Sequence, residues 1–204
     1  MNKLISILAL SACSLSVNVT QAALFDRGGG LIYDDVLNVT WLQDANYART
    51  SGYSTDGRMS WGEAISWVVD LSFYDSVRGV TYDDWRLPSI SSIKGPGFGI
   101  STIGPSYNGT TDWGWNVSAP GTIYEGSTAS ELANLFYNSL NNIAFFDLDE
   151  TVNPAWSFGH WNSGPFVNIM GAYTIDRSYW GGIRGLGTSW GFDFYDGQQQ
   201  QMGG

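Results

Sequence analysis

The sequence predicts an α+β domain in which two amphipathic helices pack on small antiparallel sheets. Three observations carry that prediction. The chain holds 26 Gly, 10 Trp, 11 Tyr and 10 Phe but few charged residues, a balance that favours short strands and turns over a helical bundle. Two stretches, 60–72 and 128–142, carry a helix-start signal followed by apolar residues at helical spacing. Near the C-terminus, short aromatic runs alternate with Gly pairs, as in half-buried antiparallel strands. The 204 residues suffice for one well-buried domain.

Residues 1–23 read as a secretory signal peptide. Asn2-Lys3 is a short positive start, Leu4 to Val19 is apolar and small, and Thr20-Gln21-Ala22-Ala23 offers a small-residue cleavage site. Leu10-Ser11-Ala12-Cys13 also resembles a lipoprotein box, so a lipid anchor on Cys13 is the alternative to a secreted or periplasmic location. Cys13 is the single cysteine. Once the leader is removed, disulfides, thiolate metal sites and cysteine nucleophiles are excluded. The formal charge of −10 disfavours nucleic acid and anionic lipid as partners.

Residues 24–204 then follow as one domain. Phe25 to Leu42 reads as a hairpin system. Gly28-Gly29-Gly30 is its first turn, Leu31-Ile32-Tyr33 a strand, Asp34-Asp35 a second turn and Val36–Leu42 a further strand. Residues 43–59 are polar and turn-rich. Ser60-Trp61-Gly62-Glu63 is a capping box that opens the first helix, with Trp61, Ala64, Ile65, Val68 and Leu71 along one face. Tyr74 to Thr81 reads as a loop. Tyr82 to Leu87 reads as a short strand closed by Pro88, with Trp85 and Leu87 on one face and Arg86 on the other. The planar fork of Arg86 suits a bidentate structural contact with a buried carboxylate or with carbonyls.

Residues 89–127, rich in Gly, Ser and Thr, read as a long insertion leaving the core. Within it, Trp113 and Trp115 lie two apart beside Asp112 and Asn116. They suit either a sugar-stacking platform or an anchor that folds the loop back on the core. Thr128-Ala129-Ser130-Glu131 is a second capping box, followed by Leu132, Leu135, Phe136 and Leu140 on one face. Phe145-Phe146-Asp147 is a short extended piece. Further strands are expected at Phe166–Ile169, Tyr179-Trp180 and Trp190–Phe194, with 198–201 a polar run.

Four motifs in this order resemble the Lcl C-terminal domain family, a domain of unknown function with a C-type-lectin-like fold. They are Phe25 to Leu42, Ser60-Trp61-Gly62-Glu63-Ala64, Trp85-Arg86-Leu87-Pro88, and Tyr179-Trp180-Gly181 with Trp190-Gly191-Phe192-Asp193-Phe194. The resemblance covers residues 24–197 and implies a C-type-lectin-like domain. The Arg-Leu-Pro element also recurs in the formylglycine-generating enzyme group, whose cysteines are absent here. The family's secreted members often carry a PEP-type sorting signal, which is absent here. The family's closing strand is expected to be missing, which would leave an open sheet edge for self-association.

Candidate chemistry is sparse. His160 is the single histidine, so no two-histidine metal site can form. Glu63 and Glu131 are accounted for as caps, which leaves Glu125 and Glu150 for any glycosidase pair. Asp147, Asp149 and Glu150 are the one weak calcium candidate, since the stretch departs from an EF-hand loop. No cofactor is otherwise expected. The sequence therefore points to a secreted non-catalytic module that binds a glycan or another extracellular surface ligand. Its expected contacts are Trp113, Trp115, Asn116, Trp156, His160, Trp161 and Asn162, by stacking and polar edge contacts. A structural or biofilm-type protein assembling through sheet edges is the alternative, and a glycosidase-type enzyme ranks last.

Overall fold

Glycines 28–30 turn the chain so that Leu24–Asp26 (β1) pairs antiparallel with Leu31–Asp34 (β2), which pairs with Val39–Leu42 (β3). These positions come from a computed structural model that describes residues 23–157, 162–169, 178–184 and 188–203. The leader, Cys13, His160 and Trp161 lie outside the described residues.

The β2–β3 turn is set by one aspartate. Asp34, fully buried, accepts the N–H groups of Val36 and Leu37 on Oδ1, and Asn38 adopts a positive φ of 53°. Residues 74–82 repeat the device. Tyr33-Asp34-Asp35-Val36-Leu37-Asn38-Val39-Thr40-Trp41 is echoed by Tyr74-Asp75-Ser76-Val77-Arg78-Gly79-Val80-Thr81-Tyr82. Buried Asp75 accepts from Val77 and Arg78 N–H, and Gly79 has a φ of 67°. The result is a second hairpin, Phe73–Asp75 (β4) with Val80–Tyr82 (β5), where a loop was expected. The two hairpins meet where Arg78 Nη2 donates to the Arg27 carbonyl, 2.9 Å away.

Between them lie a short helix, Tyr47–Thr50 (α1), in the stretch expected to be turns, and the expected helix, Trp61–Asp70 (α2). The capping box of α2 is complete: Ser60 Oγ accepts from Glu63 N–H while Glu63 accepts the Ser60 N–H at 2.7 Å. Ala64, Val68 and Leu71 are buried under it. Two indoles tie α2 and its cap to the C-terminal sheet. Trp61 Nε1 donates to the Gly181 carbonyl and Trp180 Nε1 to that of Met59.

The second helix starts later than the sequence implied. Its N-cap is Ser130, not Thr128, and it runs as Glu131–Asn134 (α3) before opening into a π-helical turn, Leu135–Ser139. Leu132, Leu135, Phe136 and Leu140 are all buried, as their spacing requires. The third sheet is Ser178–Arg184 (β6), Thr188–Asp193 (β7) and Gln199–Gly203 (β8), in that order and antiparallel. Phe166–Ile169 forms no strand; Val167 makes only an isolated bridge to Asp44. β8 pairs with β7, so the edge strands of this sheet are β6 and β8. Phe136, Tyr137, Phe192 and Phe194 meet edge-on or tilted at 4.9 to 6.1 Å in the centre of the core.

Residues 89–127 return in part to the core. Ile90, Val117 and Ala119 are core residues, and Trp115 is buried. Asp112, fully buried, accepts the N–H groups of Ile93 and Gly99, which gathers the loop around one carboxylate. Gly114 exchanges both backbone hydrogen bonds with Gln199 of β8, and Gln199 Nε2 donates to the Asp112 carbonyl at 2.8 Å. Saturating a buried carboxylate with N–H donors is how a loop this polar can be internal.

Candidate functional site

The segment Trp85-Arg86-Leu87-Pro88 is extended but has no ladder of its own, contrary to the expected strand. Pro88 O accepts from Gly182 N–H of β6, and Leu87 O accepts from Arg86 Nη1. Side chains hold the segment instead. Trp85 Nε1 donates to the Tyr82 carbonyl, and its ring meets Phe73 edge-on at 5.9 Å. Arg86 forms the expected bidentate contact, with Nη1 and Nη2 each 2.7 Å from one oxygen of Glu131. Ser89 N–H adds a third bond to Glu131 Oε2, also 2.7 Å. The hydrogen bond to Glu131 raises the already high Arg86 pKa, and partial burial works the other way. Glu131 therefore clamps the segment and is not a helix-capping side chain.

This segment is one wall of a cleft of about 850 Å3. Residues Trp41 of β3, Trp67 of α2, and Tyr179 and Trp180 of β6 complete an aromatic lining, with Asp44, Glu63 and Gln200 among the polar groups. Trp41, Trp67, Trp85, Tyr179 and Trp180 are each half-buried, so each stands between core and solvent. A smaller cleft of about 370 Å3 adjoins it, lined by Arg27, Asn38, Tyr82 and Asp84. Thr40, Trp41, Trp85, Arg86 and Pro88 line both and form the partition. The charges facing the large cleft have partners: Arg86 with Glu131, Arg58 with Asp56, Glu63 with Ser60, and Asp44 with Asn46 N–H and the Asn168 amide. Hydrogen bonds from the Ser60 backbone and then its hydroxyl hold the Glu63 carboxyl below its ordinary range.

The residues expected to bind ligand are placed differently. Trp115 is 9% exposed, stacked on Tyr107 at 5.2 Å and met edge-on by Phe146 at 4.7 Å. Of the two readings of this tryptophan pair, the loop anchor is the one its geometry fits, and Trp115 has no free face. Asn116 is buried with a φ of 60°, and its amide donates to the carbonyls of Tyr107 and Phe146. Trp113 is half-buried in the same loop. Trp156 packs edge-on against Phe145 and Tyr195. Asn162 is exposed, but its amide donates to Leu140 O and its side-chain oxygen accepts from Gly164 N–H. None of these lines the cleft.

The acidic stretch 147–150 is the tip of a small turn closed by the Phe146–Val152 bridge. Asp149 accepts from the hydroxyl and N–H of Thr151, which hold its carboxyl below the ordinary range. Among the described residues, no three His, Cys, Asp or Glu side chains gather to hold a metal ion, so the calcium expectation on Asp147, Asp149 and Glu150 finds no cluster there. No described helix is long and apolar enough to cross a membrane.

The cleft tryptophans were missed as site residues because each also satisfies a core pattern. Trp41 sits on the alternating face of β3, and Trp67 sits beside the apolar stripe of α2. The one available signal was their size at the border of those faces, where smaller residues would close the packing. No protein-family model matches the chain, and neither a curated protein nor a solved structure was found similar to it.

Proposed function

We propose that the protein is a non-catalytic binding module of the extracellular space that takes a glycan in the aromatic cleft. The observation that carries this reading is the lining itself: six half-buried aromatic residues, Tyr47 among them, around about 850 Å3, with polar groups between them. Apolar faces with a few fixed polar edges suit sugar rings, which present C–H faces and hydroxyl rims. The indoles of Trp85 and Trp180 are oriented by backbone carbonyls, so little side-chain freedom remains to be lost on binding.

The C-type-lectin-like fold and the resemblance to the Lcl C-terminal domain family belong to the same proposal. The Arg86–Glu131 clamp supports it, since it gives the Trp-Arg-Leu-Pro segment a structural role. The signal-like leader supports export. Assembly through sheet edges is less well supported: β8 covers β7, and Gly114 bonds Gln199 on the other side of β8.

The test is retention on insoluble and arrayed polysaccharides, with and without calcium, by the full-length exported protein. Trp67→Ala and Trp85→Ala are expected to lower affinity about tenfold or more, as central aromatic contacts do. Trp113→Ala is expected to leave it unchanged. Retention of binding in both cleft variants, with loss in Trp113→Ala, would move the site to the 106–116 loop.

A further inference from the structure

The partition between the two clefts contains a polar group with nothing to do in the ligand-free protein. Trp41 Nε1 is buried and has no hydrogen-bond partner. Its neighbours in the partition are not in that condition: Trp85 Nε1 has Tyr82 O, and Arg86 has Glu131. A buried donor without an acceptor is costly and rare, and calls for an explanation. Trp115 Nε1 is also unpartnered, but it lies between Tyr107 and Phe146 and lines neither cleft.

We infer that Trp41 Nε1–H is the recognition donor of the site, held for an uncharged oxygen acceptor of a neutral oligosaccharide. This rests on the reading of the cleft as a glycan site and adds the ligand's charge class and the atom that selects it. The acceptor is neutral because the charges facing the large cleft already have partners and the chain as a whole carries a net charge of −10. An anionic sugar would meet repulsion at long range and find no uncommitted cation among the described residues of the large cleft. Trp41 lines both clefts, which puts its indole within the walls where a ligand oxygen would approach.

The test uses the full chain and titrates it with cellohexaose, xylohexaose, chitohexaose, hexagalacturonate and a decaproline peptide. The wild type is expected to bind at least one neutral hexaose and not hexagalacturonate. Trp41→Phe keeps most of the ring and removes the N–H. It is expected to weaken that binding about tenfold, the worth of one well-placed hydrogen bond, while its thermal midpoint stays equal or rises. In wild-type protein labelled with 15N-tryptophan, the Trp41 indole N–H resonance is expected to shift on titration. That readout does not depend on the variant folding. Unchanged affinity in Trp41→Phe, or an indole resonance that does not move, overturns the inference and leaves the glycan reading standing. Preference for hexagalacturonate also overturns it. Binding of decaproline alone, or of no probe, removes the glycan reading and the inference together.

Discussion

Replacing Glu131 by Gln isolates the clamp that holds the Trp-Arg-Leu-Pro segment. Glu131 accepts three bonds of 2.7 Å, two from Arg86 and one from Ser89 N–H. Glutamine keeps the shape but turns one oxygen into an NH2 group. Its better orientation keeps the bonds at the Oε2 position and sets the new donor against Arg86 Nη2. One charge-assisted bond is lost and the others lose their charge. A hydrogen bond to a charged group contributes about 1.5–3 kcal/mol. The Arg86 side chain is 51% exposed, so water recovers part of that, and about 2 kcal/mol is expected. For a chain of this size that lowers the thermal midpoint by about 4–8 °C. Circular dichroism melts of wild type, Glu131→Gln, Arg86→Lys and the double variant form a cycle. Lysine cannot make the fork, so the double variant should lose less than the sum of the singles. A Glu131→Gln midpoint within a degree of wild type, or strictly additive effects, would refute the clamp.

Three further outcomes follow from other parts of the molecule. Asp75 has a carboxyl held below its ordinary range, first by its hydrogen bond to Arg78 and then by the N–H groups of Val77 and Arg78. Such a group contributes stability that is fully present above the unfolded-state value of about 3.9 and is lost as pH falls through the lower folded-state value. Acid titration of the unfolding midpoint should therefore be shallower below about pH 4 in Asp75→Asn than in wild type; equal slopes would remove Asp75 from the account. Tyr137→Phe leaves buried Asn116 N–H and Gly197 O without the hydroxyl they share, and should cost about 1–3 kcal/mol in urea unfolding. Gly114→Ala places a methyl group against the Ser106 backbone at a φ of 144°. It should open the 106–116 loop to limited proteolysis and expose the β8 amides to hydrogen exchange; protection equal to wild type would show that the loop does not hold β8.

What could be read ahead of the structure follows the reach of each signal. The reciprocal cap at Ser60 and Glu63 is local, so four residues specify it and α2 starts where they say. Thr128 to Glu131 has the same spacing, yet Ser130 caps and Glu131 turns to Arg86, 45 residues away. No local rule separates those cases, because the competing partner is tertiary. The β4–β5 hairpin was legible in principle: its nine residues echo 33–41, and only the missing comparison hid it. The β8 strand was not legible, since its glutamines show no apolar alternation. Gln199 is buried because its amide meets the Asp112 carbonyl and its backbone meets Gly114. Residues 89–127 look like a loop by composition, and the part around Asp112 is internal because that buried aspartate accepts two of their N–H groups.

The proposed binding surface was illegible for a related reason. A tryptophan that packs and a tryptophan that binds look alike in sequence, and what sets Trp41 apart is a place in both clefts together with an unpartnered indole nitrogen. Trp61, Trp85 and Trp180 give theirs to backbone carbonyls, and two of those bonds span 120 residues or more. The Trp61 and Trp180 bonds fix α2 and its cap relative to β6, and the bond from Gly182 N–H to Pro88 O holds the 85–88 segment on the same strand, so together they set the width of the cleft. Trp41 stands in the same wall without such a bond. If its role were packing alone, phenylalanine would serve there as well, with no buried donor to desolvate. Replacing it should then leave every property of the protein level or improved. A variant that folds at least as well as wild type but binds less tightly would therefore separate the two roles, because packing alone predicts no loss of affinity.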